Sequence, residues 1–177
     1  MPEMINLVNV TGNRIGTIEK LEAHKTGQLH EAFSIFIFNT KGELLLQKRN
    51  ENKYHSGGLW TNTCCSHARV GEGLQSAIHR RLQEEMGFDC DLKEVGSFIY
   101  NVKLSNNLIE NEFDYIFKGV VDDIIVKPDP EEVSDYKWIS MDELKNDAKI
   151  NPDIYTEWIK IILAGDILIC FDSNKML

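Results

Sequence analysis

No stretch of this 177-residue chain is apolar for long enough to span a bilayer. The start, MPEMINLVNVTGNR, lacks a basic end leading into an apolar run, so no secretory leader is expected. Basic residues are in deficit. The 19 Lys and Arg against 28 Asp and Glu leave a formal net charge of −9, which argues against nucleic acid or an anionic membrane as partner. An anionic small molecule then needs divalent cations or a local Arg/Lys cluster. Cysteine is sparse: Cys64, Cys65, Cys90 and Cys170 form no CxxC, and strand neighbours Cys64 and Cys65 point to opposite faces. That is a poor disulfide framework, and a reducing, cytoplasmic setting fits it. No repeat, low-complexity tract or linker appears, so residues 1–177 read as one soluble α+β domain.

MINLVNV and RIGTIEK read as a hairpin turning at Gly12. AFSIFIFN (32–39) and ELLLQKR (43–49) read as a second, around Asn39-Thr-Lys-Gly42. A polar stretch ending in Gly57-Gly58 leads into a short strand, LWTNTCCSH. Residues 74–86 carry a helical pattern, with Leu74, Ala77, Ile78 and Leu82 on one side and Gly87 as the stop. Strands are expected near 95–104 and 108–118, flanking Ser105-Asn-Asn107. Residues 126–133 read as a loop whose acidic run, Asp129-Pro-Glu-Glu-Val133, is solvated. Trp138-Ile139 reads as a short strand, and 141–148 and 153–164 as helices.

Two segments carry chemistry. Thr61-Asn-Thr-Cys-Cys-Ser-His67 and Glu110-Asn-Glu112 each space reactive side chains two apart, which on a strand share a face. A thiol, an imidazole and two carboxylates are an inventory for metal binding and proton transfer, hence for an enzyme. If Ser105–Asn107 closes a hairpin, position 104 pairs with 108 and Tyr100 falls opposite Glu112, within reach of a hydrogen bond. On a wheel of roughly 100° per residue, Arg81 and Glu85 lie inside the apolar stripe of helix 74–86. Cys64, Cys90 and Cys170 read as core filler, Trp60 and Trp138 as packing residues. Nothing local marks His24 or His30 as ligands. His79 belongs to the exposed side of its helix and His55 to a loop, and neither is given a role.

Gly71-Glu72, Ala77 and Arg80-Arg-Leu-Gln-Glu-Glu-Met-Gly-Phe88 resemble the Nudix box, whose glutamates bind divalent cations on a diphosphate. Two positions depart from it: Ser66 stands where the box opens with Gly, and Arg81 replaces a Glu. Losing a carboxylate weakens a multi-metal hydrolytic site, while a guanidinium suits gripping an intact diphosphate. With TNTCCSH, Glu-Asn-Glu and Gly58-Leu-Trp60, the pattern from about Lys20 to Trp158 resembles the type I isopentenyl diphosphate isomerases.

That resemblance implies a Nudix-type α/β/α sandwich with a mixed β-sheet between helices. It implies interconversion of isopentenyl and dimethylallyl diphosphate through protonation, a tertiary carbocation and deprotonation. Cys65 and Glu112 are then the catalytic pair, with Tyr100 bonded to Glu112. His24, His30, His67, Glu110 and Glu112 hold a divalent metal, Mn²⁺ or Zn²⁺ (or Mg²⁺). Glu85 carries the Mg²⁺ that rides with the diphosphate. Lys20, Arg49, Lys53 and Arg81 grip the diphosphate, and Trp158 lies over the reacting carbons. The partner is a small prenyl diphosphate, and the protein a monomer or weak homodimer. Ala68, where Pro is expected, and His55-Ser56, where an aromatic and Pro are common, touch loop shape more than chemistry. The alternative is a Nudix hydrolase cleaving a nucleoside or other diphosphate, and a third reading is a metal-dependent sensor of prenyl diphosphates.

Overall fold

From His30 to Phe38 every side chain is buried, the mark of a strand covered on both faces and both edges. This strand organises the computed structural model, which describes residues 2–165; Cys170 lies outside the described residues. In chain order the elements are β1 (Met4–Val8), β2 (Arg14–Glu19), α1 (Lys20–Thr26), β3 (His30–Asn39), β4 (Glu43–Arg49), β5 (Trp60–Thr61) and β6 (Cys64–Ser66). They continue as α2 (Leu74–Met86), β7 (Lys93–Lys103), β8 (Ile109–Val121), β9 (Val133–Ser140), α3 (Met141–Ile150) and α4 (Glu157–Ala164). The sheet is mixed: β3 runs parallel to β8 and antiparallel to β1, β4 and β6.

Alternation along the strands divides the core in two. Phe33, Ile35, Ile37, Leu45 and Phe117 face Ala77, Ile78, Leu82 and Met86 of α2. Phe36, Phe38, Leu44, Leu46 and Ile116 face Leu144 of α3 and Tyr155, Ile159 and Ile162 at and within α4. Helices therefore cover both faces of the sheet, the α/β/α sandwich that the sequence led us to expect. No helix among the described residues is long and apolar enough to cross a membrane.

Four local expectations change. Lys20, read as the last residue of a strand, instead opens a helix that runs to Thr26, a stretch given no element from sequence. Glu19 caps it by accepting from Leu21 N and Glu22 N, and Gly27 ends it at φ 65°. Seven residues are too few for a helical period to stand out in sequence. The strand LWTNTCCSH is two pieces, broken where Asn62 Nδ2 donates to the carbonyls of Ile35 (3.1 Å) and Cys64 (3.0 Å). β9 is much longer than Trp138-Ile139, because all of β4 serves as its partner. The final helix is split, with a 3₁₀ turn at Pro152–Ile154 ahead of α4.

Glu72 fastens the turn ahead of α2 to the helix, accepting from Arg80 Nε (2.6 Å) and Nη2 (2.8 Å) and from Arg69 N (3.0 Å). That fork lowers its carboxyl from 4.5 to about 2. A depressed carboxyl stabilises the fold above its unfolded value and loses that contribution as pH falls toward the folded one. The melting-temperature gap between wild type and Glu72→Gln is therefore expected to be full above about pH 5 and to close on acidification from 4.5 toward 2. Leu82, fully buried beneath the sheet, sets a second expectation. Leu82→Ala should lower unfolding free energy by about 3 kcal/mol in urea titration.

Candidate active site

Glu112 stands where two strand pairings meet. On one side the parallel pairing sets His30 beside it; on the other, β7 sets Tyr100 beside it. The expected hairpin register is present, with Leu104 N donating to Leu108 O at 2.8 Å. Tyr100 Oη donates to Glu112 Oε2 at 2.6 Å. The other oxygen, Oε1, lies 3.0 Å from His67 Nε2 and 3.5 Å from His30 Nε2. Glu110, one strand repeat earlier, has Oε2 3.6 Å from His24 Nε2.

Backbone carbonyls orient two of these rings: that of Lys20 lies 2.7 Å from His24 Nδ1, and that of Gln28 lies 2.8 Å from His30 Nδ1. With the proton on Nδ1, each Nε2 presents a lone pair to the cluster. Burial lowers the pKa of His24 and takes His67 down to about 3, a fall that the bond to Glu112 only partly offsets. Burial therefore favours the neutral form of His24 and His67, the form in which an imidazole binds a metal. Burial and the neighbouring Glu112 charge push Glu110 well up. Burial opposes the Glu112 charge too, but the adjoining His30 and His67 imidazoles outweigh it and hold that carboxyl well below the usual range. The Nε2 atoms of His24 and His30 and Oε2 of Glu110 are buried without hydrogen-bond partners. Unpartnered donor atoms, neutral rings and paired carboxylates fit a divalent cation.

Cys65 lies opposite Ser34 where β6 pairs β3. Its Sγ donates to Asn62 Oδ1 at 2.8 Å and lies 3.4 Å from Ser34 Oγ, which donates to Asp114 Oδ2 at 2.8 Å. Burial and the Asp114 charge push the thiol up, against those two hydrogen bonds. Burial and Glu112 likewise raise the Tyr100 phenol. β6 and β8 lie on opposite edges of β3, so Cys65 and Glu112 approach one open cleft from two sides.

The basic end of the cleft is lined by Lys20, Arg49, Lys53 and Arg81, with Glu85 among them. As the wheel indicated, Glu85 is buried. It pairs with Arg81 and accepts from Gln47 Nε2 at 2.8 Å. Arg49 lies over the Trp158 ring at 5.4 Å, so that tryptophan packs against a guanidinium as well as lining the cleft. The acidic run is not simply solvated, because Glu132 pairs with Lys53 and lies 3.4 Å from Arg81.

Every site residue named from sequence thus falls in this cleft or in the buried cluster behind it. Four neighbours were missed. Asp114 continues the two-residue spacing of Glu110 and Glu112, a signal that was available. Ser34 and Asn62 acquire a role only through strand pairing. His55, assigned none, is buried with Nε2 3.1 Å from Glu110 Oε1; burial, reinforced by Arg49, brings it to about 2. Its presence in the loop therefore adds a contact to the buried cluster and does not only shape the loop. His79 stays outside, on Asp89 at 2.7 Å.

The NUDIX domain family matches residues 28–159. The chain is 56% identical over 168 residues to isopentenyl-diphosphate Delta-isomerase 2 of Photorhabdus laumondii subsp. laumondii, covering 93% of each chain. It is 47% identical over 165 residues to the isopentenyl-diphosphate Delta-isomerase of Serratia proteamaculans, covering 92% of this chain and 90% of that one. Among solved structures it resembles DR0079 from Deinococcus radiodurans, with TM-score 0.73 and 16% identity over 90% of this chain and 97% of the other. It also resembles a MutT protein from Methanosarcina mazei Go1, with TM-score 0.64 and 22% identity over 84% and 96%. Those two likenesses concern the fold alone.

Proposed function

The chain belongs to the NUDIX domain family and, within it, to the isopentenyl-diphosphate Delta-isomerases, and on that footing we propose how its cleft moves a double bond. It is an isomerase interconverting isopentenyl and dimethylallyl diphosphate. The observation that carries the mechanism is the approach of Cys65 and the Tyr100–Glu112 pair to one cleft from opposite edges of β3.

An unactivated alkene is a poor base, so isomerisation needs a proton donor and an acceptor on either side of the reacting carbons. Cys65, which burial keeps as a thiol, is the donor toward the terminal methylene. Adding that proton makes a methyl group and leaves a tertiary cation on the adjacent carbon. Glu112, oriented by Tyr100, takes a proton from the carbon on the cation's other side, and the new double bond forms there. Proton exchange after product leaves restores the thiol and the carboxylate. Trp158 offers its π face to the cation, worth about 2 kcal/mol when desolvated.

Lys20, Arg49, Lys53 and Arg81 grip the diphosphate. When bound, a divalent ion at His24, His30, His67, Glu110 and Glu112 and a Mg²⁺ at Glu85 supply the positive charge that balances buried carboxylates and diphosphate. We place the protein in the cytoplasm, as a monomer or weak homodimer whose partner is the prenyl diphosphate. Phosphate hydrolysis has no use for a thiol facing a phenol–carboxylate pair, so the hydrolase reading explains less of the cleft.

Isopentenyl diphosphate incubated in D₂O with Mg²⁺ is expected to yield dimethylallyl diphosphate deuterated in a methyl group, followed by NMR. Release of phosphate would return the assignment to a hydrolase. Cys65→Ala should lower turnover by orders of magnitude while diphosphate affinity, read by calorimetry, stays near wild type. Equal loss of binding would make Cys65 structural.

A further inference from the structure

We propose that His55 is a sixth metal donor, a fourth imidazole that completes the coordination sphere begun by His24, His30, His67, Glu110 and Glu112. The inference rests on the five-donor centre proposed above and concerns what closes it.

Two buried donor groups emerge from the geometry. In one, His24, His30, His67 and Glu112 bring ligand atoms within 4.8 Å of one another; in the other, His24, His55 and Glu110 do the same. His24 belongs to both, with its Nδ1 already bonded to the Lys20 carbonyl. Its single Nε2 lone pair can serve one ion only. The two groups do not close within 4.8 Å as a single set, so one coordination sphere needs a bound ion to draw them together around His24.

The spacings agree. Around an ion with bonds of about 2.1 Å, adjacent octahedral donors lie about 3.0 Å apart and opposite ones about 4.2 Å. The four nitrogen–oxygen separations, 3.0 Å for His67–Glu112, 3.1 Å for His55–Glu110, 3.5 Å for His30–Glu112 and 3.6 Å for His24–Glu110, lie near adjacent edges. Glu110 offers one oxygen toward His24 and the other toward His55, and Oε2 lacks a hydrogen-bond partner.

The loop is shaped to turn this ring inward. Arg49 Nη2 donates to the His55 carbonyl at 3.3 Å, and Ser56 Oγ lies 3.3 Å from His55 Nδ1. Ser56 itself adopts φ 51°, a left-handed conformation that costs a non-glycine residue free energy. Gly57 follows so closely on the Glu51 carbonyl that a Cβ there would lie 2.4 Å from its oxygen. A surface loop has no need of such constraint.

Six protein donors leave no position for water on the ion. Four nitrogens also tilt the site from Mg²⁺ toward imidazole-preferring metals. The test uses chelator-treated full chain titrated with Mn²⁺, reading affinity and the water-proton relaxation that reports exchangeable water on the ion. Wild type is expected to bind Mn²⁺ with no such water. His55→Leu, and His55→Ala as a second variant, should each bind about tenfold or more weakly and gain one water, with unchanged melting of the apo form. His30→Leu serves as the reference and should lose binding. If the His55 variants keep wild-type affinity and relaxation while His30→Leu fails, His55 merely hydrogen-bonds Glu110 and the five-donor centre survives. Weaker binding without a gained water also overturns His55 as a ligand. If His30→Leu too binds as wild type does, the centre itself falls.

Discussion

The parallel pairing of β3 with β8 is the constraint on which the site depends. Its register runs unbroken from His30↔Glu112 to Asn39↔Val121. Side chains alternate along a strand, so a slip of one residue would turn Glu110, Glu112 and Asp114 to the opposite face. The same slip would exchange the two cores, setting Ile116 where Phe117 packs against α2. Hydrophobic burial thus holds the register, and the register holds the carboxylates. The stability of the core and the geometry of the chemistry are one arrangement.

Such a site opposes folding locally. Glu110, Glu112, Asp114 and the imidazoles of His24, His30, His55 and His67 are all buried, and removing ionised groups from water is costly. The protein answers in two ways. Burial favours the neutral forms of His24, His55 and His67 and of Glu110, and backbone carbonyls orient the His24 and His30 rings. A divalent cation would offset the remaining cost, linking metal occupancy to stability. The basic end follows the opposite rule. Lys53 and Arg81 share the half-buried Glu132, and Arg81 also pairs with the buried Glu85, so the cations of this cluster are matched by carboxylates.

Arg81 is the position at which the helix of this chain departs from the Nudix box it resembles. The solved structures of similar fold include MutT and NUDIX hydrolases, yet at 15–22% identity the likeness extends only to the backbone. On α2 of this chain a guanidinium occupies a position facing the cleft beside Glu85. On the mechanism proposed above, the proton-handling groups lie on β6 and on the β7–β8 hairpin.

Much of this was legible in sequence because it is local or periodic. The i,i+2 spacings of Cys65/His67 and Glu110/Glu112, the apolar stripe of α2, and the Tyr100–Glu112 register counted from a three-residue turn all follow from strand and helix repeats. Asp114 obeyed the same repeat and needed only one more step of counting. What tertiary structure alone decided is non-local: that β6 joins β3 so that Ser34 meets Cys65, that Glu132 reaches Lys53 and Arg81, and that His55 turns inward from an irregular loop. None of these has a period. Each depends on elements distant in sequence being brought together by burial of the same core, and periodicity carries no information about which distant elements will meet.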